Sequence, residues 1–248
     1  MKSFLHVACV VLACAASTVL YAQTIERPTV KEVDKWVYSV KSDENKGGSL
    51  TGTTRRYETS VMRVGSHSFI MAHKAVDSNL PAREVNVNLD WSTSLVINGE
   101  DMVASRPYAF PLKPGKTWDT DMTQPHPASA VKTLRNTLHY TVLGWEEIKV
   151  AAGTFKALKI EAEGNWSKVF EPQGASASSS VRAGSNAQAI VVSSENAHTP
   201  DPIGGRMYKL TWYVPEIKRD VKMISEDYDA GGTVLHRTTE ELESFTAG

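Results

Sequence analysis

The chain has 248 residues, 41% of them hydrophobic and 22% charged, with 27 Lys+Arg against 28 Asp+Glu for a formal net charge of −1. So balanced a charge gives no electrostatic reason to expect nucleic acid or an anionic membrane surface as partner, and the length is ample for a sizeable core. Both cysteines, Cys9 and Cys14, lie near the amino terminus, so neither a disulfide framework nor a cysteine-based metal site is expected beyond them.

Lys2 precedes an apolar run from Phe4 to Ala16 broken only by His6, and small residues follow up to Ala22. This order is the pattern of a secretory signal peptide over residues 1–22. The apolar run falls short of the ~20 residues that cross a bilayer as a helix, so no transmembrane span is expected in the mature chain. Two processing readings compete. Cleavage after Ala22 releases a periplasmic or secreted chain beginning at Gln23. Alternatively, Val11-Leu12-Ala13-Cys14 reads as an imperfect lipobox, with a lipidated Cys14 anchoring the protein at ~0.8 kcal/mol per buried methylene.

Beyond the address segment the dominant period is two, the mark of half-buried strands. Trp36, Tyr38 and Val40 alternate with Val37, Ser39 and Lys41, and further strands are expected at Thr53 to Val64 and His67 to Val76. From Val85 to Ile97 the odd positions are largely apolar, and a run this long predicts a bend near Ser92 to Ser94. Strands follow at Met102 to Phe110, Leu138 to Val142, Glu147 to Val150, Phe155 to Glu163, Tyr208 to Val214, Val221 to Tyr228 and Val234 to Glu243. In the Tyr208 strand, Tyr208, Leu210, Trp212 and Val214 share one face. Pro127 to Arg135 is the one short helix expected. Gly47-Gly48, Asn98-Gly99, Pro114-Gly115, Ala152-Gly153 and Gly231-Gly232 supply turns.

Glu171 to Gly204 holds seven Ser, six Ala, three Gly and three Pro and no aromatic residue. Such a stretch buries too little apolar surface to offset its ordering entropy, so 171–204 reads as a mobile insertion, with Ala189 to Val192 as a short apolar island. The expectation is one all-β domain over 23–248, with its core at about 30–246. It is read as a mostly antiparallel, strongly curved sheet or flattened barrel-like sandwich, because closing or stacking the sheet hides the apolar faces of its strands.

Three segments carry a resemblance: Phe110-Pro111-Leu112-Lys113-Pro114-Gly115-Lys116-Thr117-Trp118, then Gly144-Trp145 through Val150-Ala151-Ala152-Gly153-Thr154-Phe155 to Ile160, then Trp212-Tyr213-Val214-Pro215 through Asp220-Val221-Lys222. In this order and spacing the chain resembles, over about Pro107 to Phe245, the TapB-like and related exported bacterial β-proteins, a domain of unknown function. Ala151 departs from a proline common there, and the Ser/Ala-rich insertion is unusually long. The resemblance implies a fold and an envelope location, and no activity. Locally, Val150 and Phe155 should flank a four-residue hairpin connection with Leu158, Ile160 and Ala162 facing inward. Trp118 should cover a sheet end, and Pro215 should break strand pairing, which resumes by Val221.

Candidate chemistry is sparse. His67 and His73 share a strand face but lie ~20 Å apart, too far for one ion. Asp227 to Gly232 faintly resembles a calcium loop but has Thr238 where the twelfth position calls for an acid, so it reads as a hairpin turn. Asp119 with Asp121, and Glu146 with Glu147, read as solvated carboxylate pairs. No catalytic, metal or cofactor residues are assigned. Of six tryptophans, Trp118, Trp145 and Trp166 lie near predicted turns or strand ends and are the candidate ligand contacts, able to stack on a sugar or line an apolar pocket if gathered at one mouth of the sheet. The leading expectation is a non-catalytic envelope module that binds an apolar or glycan ligand in the concavity of its sheet. A second is a structural or assembly module acting on an envelope protein through strand edges or surface contacts, and a hydrolase ranks last.

Overall fold

The period-two patterning becomes twelve strands in a computed structural model that describes residues 24–97, 100–172 and 199–248. They are β1 (Lys35–Lys46), β2 (Ser49–Val64), β3 (Ser68–Ala75), β4 (Arg83–Asn88), β5 (Thr93–Ile97), β6 (Glu100–Ser105), β7 (Thr117–Ala128), β8 (Val131–Val150), β9 (Gly153–Phe170), β10 (Ile203–Val214), β11 (Arg219–Tyr228) and β12 (Val234–Thr246). Ten of them make one antiparallel sheet in the order β4-β3-β2-β1-β12-β11-β10-β9-β8-β7, and β5 pairs with β6 as a separate hairpin. Among the described residues no helix is long and apolar enough to cross a membrane. The expected signal peptide with Cys14, the Asn98-Gly99 turn, and 173–198 of the expected insertion lie outside the described residues. The insertion's flanks belong to neighbouring strands, with Ile203 of β10 paired to Lys168 of β9.

With no helix layer among the described residues to cover it, the sheet hides its apolar face by curling without closing into a barrel. Curling brings the β8–β9 turn onto β12, three strands beyond β9 in the sheet order: Ala152 N–H donates to the Leu242 carbonyl at 3.1 Å, and the Phe155 and Phe245 rings meet edge-on at 6.2 Å. The inner face packs Trp36, Tyr38, Phe69, Leu158, Ile160, Tyr213 and Leu242 into one core. The segment after β6 closes this end, burying Tyr108 and Leu112, and Ile25 exchanges two backbone hydrogen bonds with Leu112 at 2.7 and 2.8 Å. At the other end the inner face carries half-buried polar groups, including Lys209, Ser225 and Thr238.

Several local expectations are corrected. Pro127 to Arg135 is not a helix but the tip of the β7–β8 hairpin, with Ala128 opposite Val131; β8 gains a ladder on both sides here, which outweighs one isolated helical turn. The Val85 run breaks earlier than Ser92 to Ser94. Trp91 takes φ 67°, Asp90 caps the Ser92 amide at 3.0 Å, and the Trp91 ring turns into the core against Trp36 and Phe69. The strand expected to reach Phe110 ends at Ser105, where Pro107 lacks an amide proton and Tyr108 turns inward. The β8–β9 connection is a two-residue turn with Val150 opposite Gly153, and Leu158, Ile160 and Ala162 are buried as expected. After Pro215–Ile217, a single 3-10 turn, pairing resumes at Arg219, before Val221 as expected.

Candidate functional site

Strand register builds a hollow on the inner face. One row across the sheet runs Trp118 (β7), Tyr140 (β8), Ala162 (β9), Lys209 (β10), and the next runs Thr120, Leu138, Gly164, Met207. Because β9 contributes only Ala162 and Gly164 to these rows, no long side chain rises between the walls on β8 and β10. The β6 residues Val103 to Ser105 and the following Arg106 lie over the gap. The space is a partly open hollow of about 420 Å³, with Met122, Leu138, Tyr140 and Met207 as apolar walls and Asn136, Arg106 and Lys209 as polar contributors.

The electrostatics of the hollow are set by burial. Burial pushes the Lys209 ammonium below its ordinary value, against the pull of Asp227, Glu240 and Asp220. Burial likewise raises the carboxyl of Glu240, reinforced by Asp220, and that of Asp227. Among the described residues no ion pair within 4.0 Å involves Lys209 or Arg106. The acids on the rim are engaged elsewhere: Asp121 accepts two bonds from Arg135, at 2.9 and 2.5 Å, and Asp119 meets His139 at 2.7 Å. Asn136 Oδ1 is buried without a partner.

Below the hollow, toward the closed end, the buried Arg219 guanidinium lies 5.4, 5.2 and 5.1 Å from the ring centres of Trp36, Tyr38 and Trp91. Tyr38 Oη donates to the Asp220 carbonyl and Tyr108 Oη to Asp220 Oδ1, both at 2.7 Å. The Tyr108 bond fastens the segment after β6 to β11, and the Tyr38 bond ties β1 to the same residue.

The three candidate tryptophans are not gathered at one mouth. Trp118 supports the hollow: its ring stacks on Tyr140 at 4.8 Å and 6°, and its indole N–H donates to the Arg106 carbonyl at 3.3 Å. Trp166 stands opposite Asn136 and donates to the Tyr228 carbonyl, while Trp145 is packed at the core under Lys156. Asn136 and Trp145 are nine positions apart on β8, which is ~30 Å along a strand. His73 stacks on Tyr57 at 4.7 Å and bonds Thr59, and Asp229 closes the β11–β12 turn through the Thr233 amide at 2.8 Å.

Sequence reasoning missed Lys209 and Met207. The Tyr208, Leu210 and Trp212 stripe of β10 is on the outer face, where Tyr208 lies across from Glu163 and Glu226, and Trp212 is covered by Lys159. Tyr213 is on the same inner face as Lys209 and Thr211, opposite Leu158 of β9, and is buried in the core. A depression of about 570 Å³ on that outer face, lined by His139, Glu161, Glu163, Tyr208, Glu226 and Tyr228, is larger than the inner hollow. Several of its polar groups are already mutually satisfied, with Tyr208 on Glu161 at 2.9 Å and Arg237 on Glu226 at 2.6 Å, so it offers a ligand less.

No protein-family model matches the chain, and a search of the curated proteins gives no match. Solved structures similar to it include a provisionally named exported protein with a YmcC-like fold from Bacteroides fragilis, at 12% identity and a TM-score of 0.39, covering 90% of this chain and 100% of that one. A provisionally named lipoprotein from Parabacteroides distasonis gives 15%, 0.38, 90% and 100%, and the hypothetical lipoprotein YmcC from Escherichia coli gives 10%, 0.37, 85% and 84%. With TM-scores below 0.5, these likenesses bear no weight in the functional reading, and the TapB-like resemblance stands on its motifs alone.

Proposed function

We propose that the protein is a non-catalytic module of the cell envelope that holds a small apolar or amphipathic ligand in the hollow between the inner face and β6. The observation that carries this reading is the hollow of about 420 Å³ with four apolar walls and a few convergent polar groups. That is the usual make-up of small-molecule sites, which span ~300–1,000 Å³. The assembly alternative draws less support, since β6 packs beside the edge strand β7. Export rests on the pattern of residues 1–22, and the intact mass of the mature chain distinguishes a start at Gln23 from a lipidated Cys14. The binding test is titration with the neutral apolar dye N-phenyl-1-naphthylamine. The dye should brighten on the wild-type protein and fail to do so on Leu138→Trp, which fills the hollow. A folded wild type that leaves the dye dark, with no small molecule retained in native mass spectrometry, would overturn the proposal.

A further inference from the structure

We infer that Lys209 anchors the anionic headgroup of an amphiphile, a carboxylate or a phosphate, whose apolar part lies against Met122, Leu138, Tyr140 and Met207; this rests on the hollow being a ligand site. The geometry is one of unbalanced donors. Lys209 and Arg106 bring two cations to the lining, neither with an ion-pair partner among the described residues, whereas the two lining acids, Asp119 and Asp121, are held by His139 and Arg135. Asp227, Glu240 and Asp220 act on Lys209 through the field and are not part of the lining. Register sets the ammonium in one row with Ala162 and Tyr140, beside the apolar row of Leu138 and Met207. A ligand seated there meets a cation at one point and hydrocarbon along the rest.

Asn136 adds an independent sign. Its side-chain oxygen is buried and unpartnered while the residue lines the same hollow, and buried polar atoms in folded proteins nearly always have a partner. A ligand bearing a donor near its headgroup, such as a hydroxyl or a protonated acid oxygen, would satisfy it. A purely hydrocarbon ligand would leave both the ammonium and the amide unmet, at the cost that buried unpaired polar groups incur.

The test is displacement of N-phenyl-1-naphthylamine by dodecanoate, dodecyl phosphate and dodecanol, on wild type, Lys209→Met and Lys209→Arg. The expected result is that both anions displace the dye from wild type at least about tenfold more tightly than the alcohol, as a charge-assisted contact requires. Lys209→Met should lose that preference while retaining dye and dodecanol, and Lys209→Arg should keep it. The tighter of the two anions names the headgroup class. Equal displacement by alcohol and anions on wild type overturns the anchor without needing a variant to fold, and so does a folded Lys209→Met that keeps the preference; in both cases dye binding leaves the hollow intact as a ligand site. Failure of dye and all three alkyl probes on wild type removes the underlying reading as well.

Discussion

Trp166 reaches across β10 to donate its indole N–H to the backbone carbonyl of Tyr228 on β11, 3.0 Å away. The strand between them permits this because Gly205 stands opposite Trp166; a Cβ there would lie 1.8 Å from the Tyr228 oxygen and 3.0 Å from the indole nitrogen. Gly205→Ala should therefore push β10 from β11 and break the bond, lowering stability by about 1–3 kcal/mol, in the range of overpacking. Trp166→Phe, which removes the donor and adds no clash, should cost less, about 1 kcal/mol. Urea midpoints of the two variants check the order, and a Gly205→Ala protein as stable as wild type would show that the close approach is not required.

Glycine at 205 shows what a sequence leaves unreadable. The Gly204-Gly205 pair falls where the Ser/Ala-rich stretch gives way to β10, and one-dimensional reading assigns such glycines to the loop. Only the pairing with β9 makes one of them a crossing point for a tryptophan. The strands were legible where a single buried face produced clean alternation, as in Trp36-Tyr38 of β1 and Leu138-Tyr140-Val142 of β8. They misled at β10, where the visible apolar stripe faces outward. Lys209 and Thr211 on the inner face look like the polar side of an ordinary amphipathic strand. The hollow was invisible for a related reason: it depends on Ala162 and Gly164 lying between Tyr140 or Leu138 and Lys209 or Met207, a relation across three strands that local patterning does not contain.

Asp34 ties three remote parts of the chain together. It is 0% exposed, Lys218 at 12% exposure donates to both of its oxygens at 2.9 Å, and the amides of Lys31 and Gly248 add bonds at 2.8 and 3.0 Å. Asp34→Ala leaves the Lys218 ammonium without its carboxylate and should cost about 3–5 kcal/mol, the penalty for breaking a buried pair from one side. Lys218→Met should cost less, because two backbone amides still hold the carboxylate. The double variant should fall well short of the sum of the singles, and denaturant unfolding of all four proteins gives the coupling directly. Strict additivity would mean that the two side chains do not act as a unit.

Phenol burial predicts an alkaline limit on the fold. Burial holds Tyr38, Tyr108 and Tyr213 above the ordinary tyrosine range, with the Asp220 carboxylate adding to the effect. Tyr140 is pushed up to about 12 by burial against a lowering bond from Thr120, and Tyr208 to about 12 by burial and then Glu161. In the unfolded chain these phenols ionise near ~10. Above that pH the unfolded state has released protons that the folded state retains, so the stability these groups contribute is complete below about pH 10 and drains away as pH rises toward and past 12. Phenolate absorbance should accordingly lag behind that of free tyrosine and climb together with the loss of the far-ultraviolet β-sheet signal. Tyr140→Phe, which keeps the ring stacked on Trp118 but has no proton to lose, should move that transition to higher pH. If Tyr38, Tyr108, Tyr140 and Tyr213 ionise near pH 10 while the sheet signal persists, these phenols are open to solvent and the burial of the inner face is overturned.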